Sequence, residues 1–247
     1  MIRYLGNGSS AVDSNRGYTQ NNEAFEQYLK GEFHRQKATP ADTMASVSLF
    51  EDSIRLDPNF ALAYQGLALA LRSAPAHGSL TPEQAYPRAK DAALKAISLD
   101  PDLSAANVAL ASMKATYDWD YSGAETQYKH AIQIGPNNAE ARYSYGNFLV
   151  AMGRYDEALT QYRLAQQADP LSQNIATNVG WALYIGGRYD EALAAIRQVI
   201  ARDPSYGRAY MNMGEILQEQ RKFDEAITAF QKARDLSKDP IADMAMG

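Results

Sequence analysis

The sequence GRYDEAL at residues 153–159 returns unchanged at residues 187–193 and as RKFDEAI at residues 221–227, so one copy begins every 34 residues. Four prolines keep nearly the same interval, lying 35, 34 and 34 residues apart: Pro101, Pro136, Pro170 and Pro204. A fixed period of this length is the signature of one supersecondary unit stacked many times. The chain is therefore predicted to be a repeat protein rather than a globular domain built around one central core.

Small and large residues occupy fixed positions within each period. The eighth position is small in four successive copies: Ala111, Gly146, Gly180 and Gly214. The twentieth is always alanine: Ala124, Ala158, Ala192 and Ala226. The twenty-fourth is large: Tyr128, Tyr162, Ile196 and Phe230. This pattern predicts two antiparallel helices per unit that approach closely at the small positions, with a glycine turn at 153 and 187 and a proline that ends the second helix.

The combination of small, aromatic and proline positions resembles the tetratricopeptide repeat. The resemblance implies an all-α fold, a right-handed α-solenoid of antiparallel helix pairs with about six units and a partial seventh. The units are expected at residues 21–58, 61–101, 104–136, 139–170, 173–204 and 207–238, with the partial unit at 240–247. Residues 1–20 lack apolar periodicity and are expected to be a partly disordered linker. Because residues 240–247 fit only the first eight positions of a unit, we expect the chain to be a fragment of a longer protein.

Local signals mark the starts of individual helices. Asn21 or Asn22 is expected to cap the first helix. Thr81 is expected to cap a later one, with Gln84 completing a capping box. Pro87 follows within the same predicted helix and should kink it or delay its start, because proline lacks the backbone donor that a helix interior needs.

The composition excludes several classes of partner and compartment. With 24 lysines and arginines against 29 aspartates and glutamates, the net charge is −5, which argues against general attraction to nucleic acid or to an anionic membrane. The absence of cysteine removes disulfides and thiolate metal sites. No apolar run approaches membrane-spanning length and no signal-peptide core follows Met1. A cytoplasmic protein is therefore expected.

Residue types suited to catalysis or metal binding do not form a matching pattern. The three histidines lie in different repeats or loops, without the spacing of metal ligands: His34, His77 and His130. The Asp–Glu steps at 156–157, 190–191 and 224–225 could suggest acid–base chemistry, but three copies at the repeat spacing indicate residues at helix starts. We therefore predict that the chain is not an enzyme and needs no cofactor.

The resemblance also implies a binding surface, since the first helices of successive tetratricopeptide units line a concave groove. The candidate site for a protein or peptide consists of Tyr143, Asn147, Asn178, Trp181, Tyr184, Arg208, Met211 and Asn212. Further residues at groove positions, outside this candidate site, are Val150, Asn174, Ile185, Glu215 and Glu219. Amides can hydrogen-bond a peptide backbone, and Trp and Tyr are enriched at binding hot spots. The competing interpretation is that asparagine is common at these positions and that Trp181 belongs partly to the core.

Some tetratricopeptide domains grip the C-terminal carboxylate of a partner with a clamp of three cations and two asparagines. The corresponding residues here are Tyr143, Asn147, Asn178, Arg208 and Asn212. Both asparagines match, but only Arg208 supplies a positive charge. Because the grip depends on charge-assisted hydrogen bonds, carboxylate recognition of this kind is not expected.

Sequences outside the repeat pattern, at residues 28–31, 85–89 and 117–125, resemble the C-terminal repeat region of bacterial signalling proteins. These include winged-helix transcriptional regulators, adenylate cyclases and serine/threonine kinases. The resemblance implies a regulatory or docking region of a larger bacterial protein.

The alternative is a free-standing assembly scaffold that oligomerises through its solenoid ends. Ile241, Met244 and Met246 are expected to lie at the start of a helix with no following partner helix, and the surface around Ile227 and Phe230 is expected to be only partly covered. Exposed apolar surface at the end of a solenoid favours weak self-association.

Overall fold

A computed structural model describes residues 18–237. Twelve α-helices and no strand occupy these residues, which confirms the predicted all-α class. The helices are α1 (Asn22–Arg35), α2 (Pro40–Leu56), α3 (Ala61–Ser73), α4 (Pro82–Leu99), α5 (Ser104–Thr116), α6 (Tyr121–Ile134), α7 (Ala139–Ala151), α8 (Tyr155–Ala168), α9 (Gln173–Ile185), α10 (Tyr189–Arg202), α11 (Gly207–Glu219) and α12 (Phe223–Ser237).

The chain divides into two compact units: unit 1, residues 1–118, contains α1 to α5, and unit 2, residues 119–247, contains α6 to α12. Within unit 1, α1 packs on α2 and α3 on α4; within unit 2, α7 packs on α8, α9 on α10 and α11 on α12. Each pair also contacts the next, through α2 and α3, α8 and α9, and α10 and α11. This neighbour-to-neighbour packing is that of a helical solenoid. The partial repeat predicted at 240–247, and the linker predicted at 1–20 apart from its last three residues, lie outside the described residues.

The predicted cap of the first helix is confirmed at Asn21. Its side-chain oxygen accepts hydrogen bonds from the backbone N–H groups of Glu23 and Ala24, at 3.0 and 3.1 Å. Its amide nitrogen donates to the carbonyl oxygen of Leu56 at 3.1 Å, and the hydroxyl of Ser53 donates to the carbonyl oxygen of Ala24 at 2.7 Å. The start of α1 is thus fastened to the end of α2.

The capping box before α4 is also confirmed, because the backbone N–H of Thr81 donates to the side-chain oxygen of Gln84 at 3.0 Å. The delayed start that Pro87 was expected to cause is wrong, since α4 begins at Pro82 and includes Pro87. Proline this close to a helix start removes one backbone hydrogen bond, and the capping box holds the first turn.

In three consecutive pairs of unit 2, a glycine on the first helix faces a large side chain on the second. The contacts join Gly146 to Tyr162, Gly180 to Ile196 and Gly214 to Phe230, and a Cβ added to each glycine would lie 2.5, 2.6 and 2.4 Å from the nearest side-chain atom. Such distances are shorter than real Cβ contacts, so a Cβ at any of these glycines would force the facing side chain to shift. The predicted close approach at the eighth position is confirmed in these three pairs, and the large residue at the twenty-fourth position is its partner.

A similar contact organises unit 1, where Phe50 on α2 lies against glycines of both neighbouring first helices. An added Cβ would lie 2.8 Å from the Phe50 ring at Gly31 and 2.4 Å from it at Gly66. Phe50 is fully buried.

At the end of unit 2, α12 differs in part from the expectation. Phe230 is only 3 % exposed because it packs against Gly214, so the prediction of a partly covered Phe230 is wrong. Ile227 is 46 % exposed, as expected for a second helix with no following pair in the described residues.

The turns before α6, α8, α10 and α12 use a left-handed backbone at one position per period. This position is occupied by Trp119, Gly153, Gly187 and Arg221, with φ of 58°, 73°, 75° and 59°. After the last three, the next residue donates a backbone hydrogen bond of 2.8–2.9 Å to the carbonyl of the residue five positions before it. The glycine turns at 153 and 187 are thus confirmed, and Arg221 adopts the same conformation with a Cβ.

We expect Arg221→Gly to raise the free energy of unfolding by about 0.5–1 kcal/mol. A left-handed conformation costs a residue with a Cβ about 1–2 kcal/mol, and the greater freedom of glycine in the unfolded chain offsets part of the gain. Arg221 is exposed, so little packing is lost. Urea denaturation measures the change. Arg221→Ala is the matched control, and an equal gain from it would show that the backbone conformation is not the cause.

We expect Gly180→Ala to destabilise unit 2, with an overpacking cost of roughly 1–3 kcal/mol that exceeds the gain of about 1 kcal/mol in helix propensity. Ile196→Ala alone should cost about 2–5 kcal/mol through the cavity it leaves. The double variant should cost less than the two changes added, because Ile196 supplies the atom that would clash. Strict additivity in denaturant unfolding would contradict the proposed contact.

Candidate functional site

The residues predicted to bind a partner lie on the first helices of three consecutive pairs in unit 2. We call this surface the first-helix face, formed by Tyr143 and Asn147 on α7, Asn178, Trp181 and Tyr184 on α9, and Arg208, Met211 and Asn212 on α11. Asn147 and Arg208 are exposed, the aromatic residues and Met211 are half-buried, and Asn178 and Asn212 are buried. Hence the two buried asparagines offer less surface to a ligand than their neighbours do.

The hydroxyl of Tyr143 connects α7 with α9. It accepts hydrogen bonds from the side-chain amides of Asn174, at 3.0 Å, and Asn178, at 3.4 Å. The Asn178 amide also donates to the backbone carbonyl of Asn174 at 2.8 Å. The donors of Asn178 are therefore used within the protein, and this residue holds neighbouring helices in register.

Asn147 is held in one orientation by a residue of the second helix. The hydroxyl of Tyr162 donates to Asn147 Oδ1 at 2.6 Å, and the ring centroid of Tyr162 lies 5.9 Å from that of Tyr143. Burial raises the pKa of the Tyr162 phenol, which keeps it a neutral donor. Because its oxygen is bound and its side chain is exposed, Asn147 retains an amide that can donate to a ligand.

An aromatic cluster occupies the C-terminal half of α9. The ring centroids of Trp181 and Tyr184 are 5.2 Å apart, and Tyr189 at the start of α10 lies 6.0 Å beyond Tyr184. Trp181 and Tyr184 are half-buried. They are anchored by packing and still present ring surface, which is the arrangement of an aromatic binding hot spot.

Two carboxylates on α11, those of Glu215 and Glu219, influence the pKa of Tyr184 in this cluster. Burial raises the pKa of the Tyr184 phenol, and the negative charges of Glu219 and Glu215 raise it further. Burial also raises the pKa of Glu215, and the positive charge of Arg208 offsets part of that effect. The sequence placed these glutamates at groove positions, but its repeat frame gave no sign that one of them is half-buried.

Other kinds of site find no support in the part of the chain that the structure describes. No group of three or more His, Cys, Asp or Glu side chains there could hold a metal ion. Across residues 18–237, none of the helices is both long and apolar enough to cross a membrane. The predicted helix-start role of the Asp–Glu steps is confirmed, since they lie in the first turns of α8, α10 and α12.

Comparisons with known proteins agree with this architecture. Two family models described as tetratricopeptide repeat match residues 119–177 and 180–240. The transcriptional regulator HilA of Salmonella typhimurium is 28% identical over 131 residues, which cover 53% of this chain and 24% of HilA. The chain thus matches about a quarter of the length of this curated relative.

Solved structures show the same fold at low sequence identity. YrrB, described as a TPR protein with an unusual peptide-binding site, is 22% identical with a TM-score of 0.54, over 80% of this chain and 96% of YrrB. Yeast Tom70 is 20% identical with a TM-score of 0.68, over 92% of this chain and 47% of that chain. Tetratricopeptide solenoids present extended surfaces on which other proteins bind. The periodic sequence, the paired helices and these matches show that this chain contains a tetratricopeptide repeat domain, the fold of a protein-interaction scaffold.

Proposed function

We propose that this chain is the docking or regulatory region of a larger bacterial signalling protein and that its first-helix face binds an extended peptide or a helix of a partner protein. The half-exposed pair of Trp181 and Tyr184 carries the proposal. Such rings bury a large area at little cost in conformational entropy, since each has only two side-chain torsions. In this proposal the chain has no catalytic role and acts in the cytoplasm.

The polar groups around the aromatic pair suit a peptide main chain. The exposed amide of Asn147 can donate to a carbonyl, while Met211 supplies a half-buried, flexible apolar contact on α11. Both positions belong to helices held in register, α7 to α9 through Tyr143 and α9 to α11 by direct packing. A preorganised surface loses less entropy on binding than a mobile one.

Similarity to HilA supports the bacterial regulatory context, since it covers half of this chain and HilA is a transcriptional regulator. In such a protein the repeats would bind a partner and another domain would act. The absence of cysteine agrees with a reducing compartment such as the cytoplasm.

Recognition of a partner's C-terminal carboxylate is disfavoured on this face. Tyr143 stands at the first position of the known clamp and accepts hydrogen bonds from its neighbours, and Asn212 at the last position is buried. Glu215 and Glu219 would repel a carboxylate. The proposed ligand is therefore recognised through its chain and side chains and not through a C-terminal carboxylate.

Trp181→Ala tests the site. Peptides selected from a phage-displayed library of 12-residue sequences with the native chain should lose about 2 kcal/mol of binding free energy to this variant, roughly 30-fold in affinity, as measured by calorimetry. Trp119→Ala is the matched control, because Trp119 is the only other tryptophan and is 71% exposed on a turn. Selected peptides that bind both variants as tightly as the native chain would contradict the site.

The alternative function, assembly through the end of the solenoid, is favoured by one observation on α12. Phe223 and Ile227 are 57% and 46% exposed, and they lie four residues apart on one side of the helix. An exposed apolar pair of this kind favours contact with another chain. The predicted participants Ile241, Met244 and Met246 lie outside the described residues.

If α12 mediates self-association, the native chain should form dimers at high concentration in sedimentation velocity, and Phe223→Ser with Ile227→Ser should abolish them. Leu171→Ser is the control, because Leu171 is 90% exposed outside α12. A native chain that sediments as a monomer throughout the concentration range would exclude this alternative.

A further inference from the structure

We infer that the first-helix face binds a lysine or arginine side chain of its partner, between the rings of Trp181 and Tyr184 on α9 and the carboxylates of Glu215 and Glu219 on α11. We call these four residues the cation patch. The inference rests on the proposed function and specifies the chemistry of its ligand.

Several glutamates of unit 2 are neutralised by an arginine, and the two glutamates of the cation patch are not. On the second helices of unit 2, Glu125 and Glu157 each pair with Arg154 at 2.7 Å, and Glu191 pairs with Arg188 at 2.7 Å. Among the described residues Glu215 and Glu219 form no ion pair, although Glu215 is half-buried. A half-buried carboxylate without a partner costs free energy that a bound cation would recover.

Arg208 is the cation whose charge acts on Glu215, and it forms no ion pair with that carboxylate among the described residues. It lies on α11 seven residues before Glu215. Its charge lowers the pKa of Glu215 by less than burial raises it, so the pKa stays above its usual value. Arg208 is exposed and makes no ion pair with either glutamate in the described residues. The cation patch thus keeps two negative charges on α11, and Arg208 lies about two helical turns before Glu215 and about three before Glu219.

The rings add a second attraction for the same ligand. A cation over the face of Trp or Tyr is drawn to the ring's negative charge distribution, and tryptophan is the strongest of these partners. The centroid distance of 5.2 Å between Trp181 and Tyr184 gives a continuous aromatic surface along the apolar stem of a long side chain. Guanidinium combines planar stacking with bidentate hydrogen bonding to carboxylate, so arginine suits the patch better than lysine.

Charge complementarity selects this occupant over the alternatives. A phosphorylated or acidic segment would place negative charge beside Glu215 and Glu219, and a purely apolar segment would leave a half-buried carboxylate uncompensated. A basic segment satisfies the rings and the carboxylates together.

The test uses the full chain with Trp119→Phe, which leaves Trp181 as the only tryptophan. Its indole N–H signal is followed by nuclear magnetic resonance during titration with nonapeptides of glycine, serine and alanine that carry one central arginine, citrulline or glutamate. We expect saturable shifts with the arginine peptide, at least fivefold weaker binding of citrulline, which has the same shape without the charge, and no binding of glutamate. Equal binding of arginine and citrulline, or no binding of arginine, would overturn the inference.

Variants that remove the negative charges of the cation patch test whether the preference for arginine depends on those charges. Glu215→Gln with Glu219→Gln should remove the preference for arginine over citrulline. The matched control, Glu225→Gln with Asp235→Asn, changes the net charge equally on exposed positions of α12 and should keep the preference. Loss of the preference in both double variants would show general electrostatic attraction and overturn the patch.

The two proposals fail differently. Library peptides that depend on Trp181, combined with no preference for arginine, would refute the cation patch and leave the peptide-binding face intact. Library peptides indifferent to Trp181 would refute the proposed function itself.

Discussion

The contact between a glycine on the first helix and a large side chain on the second is the constraint on which the rest of unit 2 depends. Without a Cβ at Gly146, Gly180 and Gly214, each helix can approach its partner until the side chain at the twenty-fourth position touches its backbone. The depth of this contact sets the separation within each pair. The separation within each pair in turn sets how far apart successive first helices lie. It therefore sets the spacing of the side chains on the first-helix face.

The same contact also orients a residue of the proposed binding face. Tyr162 is buried against Gly146, and its hydroxyl still reaches Asn147 on the first-helix face. A residue that closes the helix pair thus orients a residue of that face. Replacing Tyr162 by a shorter side chain would loosen the packing and release Asn147 together, so in the proposed function one side chain would couple stability to binding.

Much of the fold could be predicted from the sequence, because the repeats show which positions are always small and which are always large. The small positions, the caps at Asn21 and Thr81 and the turns at Gly153 and Gly187 each leave a local signal. The left-handed turn at Arg221 leaves none in its own residue type, because only its place in the period identifies it. Pro87 did not delay the start of α4, since the effect of a proline depends on how far it lies from a well-capped start.

The candidate site was less predictable, because the sequence places a side chain on a face but does not say what occupies its polar atoms. Asn178 and Asn147 looked equivalent as amides at groove positions. In the structure one donates to Tyr143 and Asn174, while the other accepts from Tyr162 and keeps its donors. Such differences arise from individual hydrogen bonds between residues 4, 15 and 35 positions apart, which the residue type at a repeat position does not reveal.

The ninth position of the repeat shows where specificity can reside in a fold of this kind. It carries Asn147, Trp181 and Glu215 in three consecutive units, so geometrically equivalent sites present an amide, an aromatic ring and a carboxylate. Adjacent packed helices are about 10 Å apart, and an extended peptide rises about 3.3 Å per residue. A peptide crossing the face would therefore meet these three groups at intervals of about three residues. Because the ninth position lies outside the small and large positions that close each helix pair, its residue type varies from unit to unit, and in the proposed function its chemistry would set the partner's sequence.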